Sequence, residues 1–167
     1  MLPTVYVETT ILSYLTARPS SSLITAAHQR VTLEWWRVAP TSHRLLVSAV
    51  VVQEARAGDP TMAERRLALL SGLPLLEVTP EARELARALV AAGVVPSDAA
   101  ADALHIAVAA VNRVDYLVTW NLRHLAGAVV RRRIERALRE RGLDAPTLCT
   151  PEELLADITD AGGLDVQ

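Results

Sequence analysis

The sequence predicts an α/β domain of three layers, a parallel sheet of about five strands covered by helices on both faces. Two observations carry this. Short β-rich segments alternate with longer helical ones along the whole chain, which is the pattern of strands joined by right-handed crossovers. The chain is also 167 residues long and 51% hydrophobic, enough to bury one core without a staple. It shows no internal repeat and no linker long enough to divide it. The expectation is a single domain over residues 1–160 and a frayed tail over 161–167, beginning near Gly162-Gly163.

The elements follow in order. Val5-Tyr6-Val7 opens the sheet and ends on Glu8. A helix starts at Ile11 after Thr9-Thr10, is interrupted near Arg18-Pro19, and a second helical stretch runs from Leu23 to Val38 with Trp35 and Trp36. Leu45 to Ser48 is the second strand. Ala49 to Ala57 is helical and stops at the breaker Gly58-Asp59-Pro60. Thr61 to Leu70 is helical, Leu75 to Val78 is the third strand, and Thr79-Pro80-Glu81 starts a helix that ends at Gly93. Pro96-Ser97-Asp98 begins the next helix, with Ser97 as its N-cap, and it continues to Val111. Asp115 to Thr119 is the fourth strand. Leu122 to Arg141 reads as one helix ending at Gly142. Thr147 to Cys149 is the fifth strand, and Thr150-Pro151-Glu152-Glu153 starts the last helix.

Composition bounds the function. Cys149 is a lone cysteine, which fits a reducing compartment. The opening Met1-Leu2-Pro3-Thr4 has no basic region or signal-peptide core, and the apolar run Val47 to Val52 is too short to span a bilayer, so a cytoplasmic protein with no membrane association is expected. Net charge is −2, so the molecule as a whole is not a polyanion binder. Its bases are all arginine, however, and seven fall between Arg123 and Arg141: Arg123, Arg131, Arg132, Arg133, Arg136, Arg139 and Arg141. That run is either a solvated helix face, laced by pairs such as Glu135–Arg139, or a nucleic-acid contact.

Four acids converge in this fold. Glu8 ends the first strand, Glu54 lies early in the helix after the second, and Asp98 and Asp102 lie in the first turns of a helix that leads into a later strand. A helix leading into a parallel strand runs antiparallel to it, so all four positions fall at the carboxyl edge, where such sheets carry their sites. Asn121, after the fourth strand, joins them, whereas Asp115 begins that strand and falls at the opposite edge. Carboxylates crowded without bases repel by about 1 kcal/mol per pair at 4 Å in water and about 4 at a protein-like dielectric. A hard cation, Mg²⁺ or Mn²⁺, is the simplest explanation. The expected chemistry is metal-assisted phosphodiester hydrolysis, with Glu8 and Asp102 as main ligands, Glu54 holding a second ion or orienting water, and Asp98 and Asn121 completing the shell.

Each residue also has a structural reading. Asp98 can serve as a helix cap, Glu54 as an exposed helix residue, and His105, three residues after Asp102, as a core or supporting histidine. Thr9, Thr10, Ser48 and Thr119 fall near the edge and can bond a ligand or cap helices. Trp35 and Trp36 are read as core and interface. No phosphate loop and no Cys/His zinc spacing is present.

At these residues the sequence resembles the PIN domain, and within it the VapC-like toxin ribonucleases. The resemblance lies in Val5-Tyr6-Val7-Glu8-Thr9-Thr10-Ile11, Ser48-Ala49-Val50-Val51-Val52-Gln53-Glu54, Asp102-Ala103-Leu104-His105-Ile106-Ala107-Val108-Ala109, Asp115 to Leu125, and Thr147 to Leu154. It implies a doubly wound α/β/α fold and a Mg²⁺- or Mn²⁺-dependent endoribonuclease, commonly a homodimer, held inactive by an antitoxin protein. By position, Glu8, Glu54 and Asp102 match the family's first three acids and Asn121 the fourth. Glu8 and Asn121 depart from the usual Asp, which implies weaker metal binding without RNA and a preference for Mn²⁺. RNA contacts are expected at Thr10, Thr119, Arg123, Arg131 and Arg132. The alternatives are a PIN-like scaffold that binds RNA or protein without useful catalysis, which Asn121 favours, and a flavodoxin-like or receiver-like domain.

Overall fold

In the computed structural model, which describes residues 1–162, five parallel strands form one sheet. They are β1 (Thr4–Val7), β2 (Arg44–Ser48), β3 (Leu75–Leu76), β4 (Tyr116–Val118) and β5 (Thr147–Cys149), in the order β3-β2-β1-β4-β5. Eight helices connect and cover them: α1 (Thr9–Thr16), α2 (Leu23–Ser42), α3 (Ala49–Ala55), α4 (Pro60–Leu70), α5 (Pro80–Ala91), α6 (Ala100–Val111), α7 (Ala128–Arg139) and α8 (Pro151–Gly162). Helix α5 packs on α6, and α2 on α8. The three-layer, parallel α/β expectation holds. The expected tail lies outside the described residues, except that α8 carries through 161 and 162. Among the described residues no helix is long and apolar enough to cross a membrane.

The strand order places the reversal between β1 and β4. The chain winds outward from β1 through β2 to β3, then returns beside β1 and winds the other way. A crevice opens at the carboxyl ends where the two directions part. Val5 pairs with Tyr116 and Val7 with Val118, and the Glu8 amide donates to the Val118 carbonyl at 3.1 Å. That register sets Glu8 beside Thr119. Rigidity beneath the crevice comes from a fully buried core that includes Tyr6, Ile11, Trp35, Leu89, Ile106, Leu117, Ile134 and Leu138.

Three of the differences from the expected boundaries have a local cause. Ser97 does not cap a helix: Pro96 to Ala99 close a short tight turn first, with the Ala99 amide on the Pro96 carbonyl, and α6 begins only at Ala100 without a side-chain cap. The third strand is two residues rather than four, because it is the sheet's edge and pairs only through Val47–Leu75 and Ser48–Leu76. The long helix expected from Leu122 is broken. Leu122 to Ala126 form one wide π turn, capped by the Asn121 side chain, and α7 starts after Gly127.

Asp115 sits at the opposite edge, where it fastens the start of β4 to that of β1. Its Oδ2 accepts from the Thr4 amide and hydroxyl, both at 2.7 Å, while its own amide donates to Thr4 Oγ1 at 3.0 Å. These bonds hold the Asp115 carboxyl below its ordinary range. A depressed carboxyl stabilises the fold above its unfolded-state value near 4, and that contribution disappears as pH falls through the folded value. Asp115→Ala is therefore expected to cost about 1 kcal/mol at neutral pH, since the carboxylate is exposed. Urea melts at neutral pH and below about pH 3 check the sign: the gap to wild type should narrow in acid, and a gap that widens would exclude this role.

Candidate functional site

Glu8 is delivered by the end of β1. It adopts an extended backbone, caps α1, and is only 4% exposed. A buried carboxylate needs donors, and Glu8 has three. Its Oε2 accepts from the Thr10 amide at 3.1 Å, the Thr10 hydroxyl at 2.5 Å and the Thr119 hydroxyl at 2.7 Å. The same two hydroxyls accept in turn: Thr10 Oγ1 from the Trp120 amide and Thr119 Oγ1 from the Asn121 amide, both at 2.9 Å. Thr10 and Thr119, expected near the edge as donors to a ligand or as caps, both aim the acid. All three donors converge on one oxygen of Glu8, and none of them occupies the other.

Glu54 arrives from the other side of β1. Helix α3 follows β2 directly, and Glu54 lies near its end. Its Oε2 accepts from the Thr9 hydroxyl and lies 2.9 Å from His105 Nε2. His105 is fully buried on α6, and its Nδ1 meets Tyr6 Oη at 2.7 Å; that phenol also meets Ser48 Oγ at 2.7 Å. The chain Ser48–Tyr6–His105–Glu54 thus spans β2, β1, α6 and α3. Burial pushes the imidazole down, but the Glu54 hydrogen bond and the charges of Glu8, Glu54 and Asp102 outweigh it, so His105 lies above its ordinary value. Burial likewise pushes Glu54 up, yet His105 and Thr9 bring it below the usual range. Both directions favour imidazolium against carboxylate. Burial also raises the Tyr6 phenol, which keeps its proton.

One oxygen each from Glu8 and Glu54 and one nitrogen of His105 lie within 4.8 Å of one another. Two carboxylates at this spacing fit a divalent ion with oxygen ligands, Mg²⁺ or Mn²⁺, while His105 as imidazolium has no free lone pair and acts on the site through Glu54. His105, read from sequence as core or support, is both buried and part of this cluster.

Asp102 belongs to a neighbouring cluster. It stands in the first turn of α6, and its Oδ2 accepts from Asn121 Nδ2 at 3.1 Å and meets His124 Nδ1 at 3.0 Å. Asn121 Oδ1 accepts from the His124 amide at 3.0 Å. The Asn121 amide group is thus spent on orienting Asp102 and the π turn, rather than standing open as a ligand. Thr119 links the two clusters, since it holds both Glu8 and the Asn121 backbone. Asp98 is exposed on the tight turn before α6, in a polar pocket with Arg123, His124 and Arg133. It takes no part in the Glu8–Glu54–His105 cluster. The premise of acids crowded without bases therefore needs correction: His105 and His124 stand among them. His124 drew no attention in the sequence, because only the π turn turns it back toward Asp102.

Tertiary contacts also sort the arginines. Arg131 makes a two-pronged ion pair with Glu153 at 2.8 Å on both arms, and its Nε donates to the Ala126 carbonyl. That guanidinium is bound within the fold. Among the described residues the only ion pair along α7 itself is Arg136–Glu140, not the expected Glu135–Arg139. Trp120 is buried between the clusters and α2, stacked on His28 at 4.0 Å, with Nε1 donating to Thr32 Oγ1 at 2.7 Å.

Compared by sequence, the chain matches no family model and no curated protein. Compared by structure, it superposes on a chain of VapBC2 from Rickettsia felis, solved bound to a DNA fragment from its promoter, with a TM-score of 0.57 and 16% identity. The match covers 88% of this chain and 98% of that one. An identity that low with coverage that complete speaks for a common architecture, and together with the strand order it shows a three-layer α/β/α fold shared with that chain.

Proposed function

We propose that this chain is a metal-dependent endoribonuclease, the toxin of a toxin–antitoxin pair. The observation that carries the reading is the meeting of Glu8, Glu54 and His105 within 4.8 Å at the strand-order reversal, with Asp102 held beside them. Glu8 and Glu54 would hold Mg²⁺ or Mn²⁺, with His105 and Asp102 adjoining. A divalent ion bound there supplies a lowered pKa for water and charge stabilisation at a phosphate. The chain's own contribution is orientation. Three donors fix one oxygen of Glu8 and leave the other for a ligand. His105 and Thr9 fix Glu54 and keep it ionised. Asn121 and His124 aim Asp102. An antitoxin partner, a homodimer and a cytoplasmic location belong to the same proposal; the fold shared with a chain of VapBC2 supports the first.

The test is cleavage of labelled single-stranded RNA with Mn²⁺, Mg²⁺ or EDTA, beside Asp102→Asn. Cutting should require metal, favour Mn²⁺ and vanish in the variant. Cutting that persists in EDTA or in the variant would overturn the site.

One observation favours a binding scaffold instead. His105 already neutralises Glu54, and His124 adjoins Asp102, so these acids can stand together without a cation. Calorimetry separates the readings: a scaffold shows no Mn²⁺ binding at millimolar metal, with or without RNA.

A further inference from the structure

Helix α7 presents two faces. Ile134, Ala137 and Leu138 turn inward and are buried, with Val130 packed beside them. Val129, Arg132, Arg133 and Arg136 follow at helical spacing, three, four and seven residues on, and are all exposed. Such a stripe of arginines is an ordinary solvated face unless something connects it to chemistry. Here two features do.

First, the stripe runs into the candidate site. Arg133 lines two adjoining depressions. One, of about 570 Å³, lies along α7 with Val129, Arg132 and Arg136. The other, of about 350 Å³, is lined by Val94, Pro96, Asp98, Arg123, His124 and Arg133. His124 forms a wall of the second pocket and lies 3.0 Å from Asp102. Basic surface and acidic centre are therefore separated by one imidazole. Second, Arg123, Arg132 and Arg133 form no ion pair among the described residues, while Arg131 and Arg136 are engaged by Glu153 and Glu140. Free guanidiniums next to a carboxylate centre are what a phosphodiester strand needs. The acids repel its phosphates unless a cation intervenes, and neighbouring phosphates must be held by something else.

We propose that Arg123, Arg132 and Arg133 form a phosphate track that holds a single RNA strand along α7 and feeds it past His124 into the acidic centre. The inference rests on the ribonuclease reading and adds the path of the substrate. It removes Arg131 from the contact surface and adds Arg133. The track recognises backbone phosphate and not bases, so it confers affinity with little sequence preference.

The test is fluorescence anisotropy of a short labelled 2′-O-methyl RNA, its integrity checked on a gel, against wild type and the triple variant Arg123→Ala, Arg132→Ala, Arg133→Ala. It is run with Mn²⁺ and with EDTA. Single-strand binding loses about 0.7 in log–log salt slope for each phosphate contact removed. The wild type should therefore weaken about 20-fold more than the triple variant between about 50 and about 200 mM salt. The control Arg83→Ala, Arg87→Ala removes charge from the groove between α5 and α6 instead. Equal losses of salt slope per charge removed in control and triple variant would reduce the effect to net charge and overturn the track. Wild-type RNA binding with an unchanged slope in the triple variant would overturn the track and leave the ribonuclease reading standing. No RNA binding by wild type would overturn both. Track-dependent binding of polyglutamate that exceeds RNA binding would assign the surface to an acidic protein partner and overturn it as an RNA path.

Discussion

Glu54→Gln is expected to lower metal-dependent RNA cleavage by about 100-fold or more, because even partners one shell removed from a metal change affinity or activity by 10–100-fold. The reason is specific to this geometry. Both internal contacts of Glu54, from the Thr9 hydroxyl and from His105 Nε2, fall on the same oxygen. The amide oxygen of glutamine can keep both. The substitution therefore removes a charge and little else, and the fold should lose no more than about 1–2 kcal/mol. His105→Gln in the Glu54→Gln background should lower cleavage by little more, since His105 acts through that carboxylate and coupled residues are not additive. Cleavage rates, Mn²⁺ titrations and urea melts on the two single variants and the double separate these effects. Full cleavage in a folded Glu54→Gln protein would mean that the metal sits elsewhere.

How much of this was legible in the sequence depended on the kind of information each feature carries. Edges follow from polarity: a residue after a parallel strand, or in the first turn of a helix leading to one, lies at the carboxyl edge whatever its contacts. Glu8, Glu54 and Asp102 could be brought to one edge on that basis, and Asp115 sent to the other. Side-chain partnership follows no such rule. His105 stands in a run of alanines and aliphatic residues, where a histidine reads as core, and it is fully buried. Nothing in its neighbourhood along the chain announces Tyr6 and Glu54. Asn121 looked like a ligand because of its position, but its role depends on Asp102 and the His124 amide, nineteen and three residues away. Arg131 and Arg133 are indistinguishable in sequence; only the approach of α8 brings Glu153 to one and not the other.

Gly127 was hidden in the same way, inside a segment whose composition is helical from Leu122 to Arg141. Its backbone, at φ −67° and ψ 139°, is open to any residue, so conformational freedom does not explain the glycine. Space does. A Cβ there would stand well inside van der Waals contact with the Leu122 carbonyl oxygen, a backbone atom that cannot rotate away. The turn that would have to shift is the one whose Leu125 and Ala126 amides both donate to the Asn121 carbonyl, and which carries His124 to Asp102. Gly127→Ala should therefore do two things. It should destabilise the fold by about 1–3 kcal/mol, the usual cost of overpacking. It should also lower cleavage by about tenfold or more beyond any loss of folded protein, because displacing groups that orient a metal ligand has effects of that size. Gly142→Ala is the control. That glycine follows α7 at φ +73° with nothing within 4 Å of its missing Cβ, so its replacement strains the backbone by about 1 kcal/mol without reaching the site. Melting temperature and cleavage should fall together in Gly127→Ala and separate in Gly142→Ala. A Gly127→Ala protein that melts and cleaves like wild type would mean that the π turn does not set the position of His124, and that Asp102 is aimed by Asn121 alone.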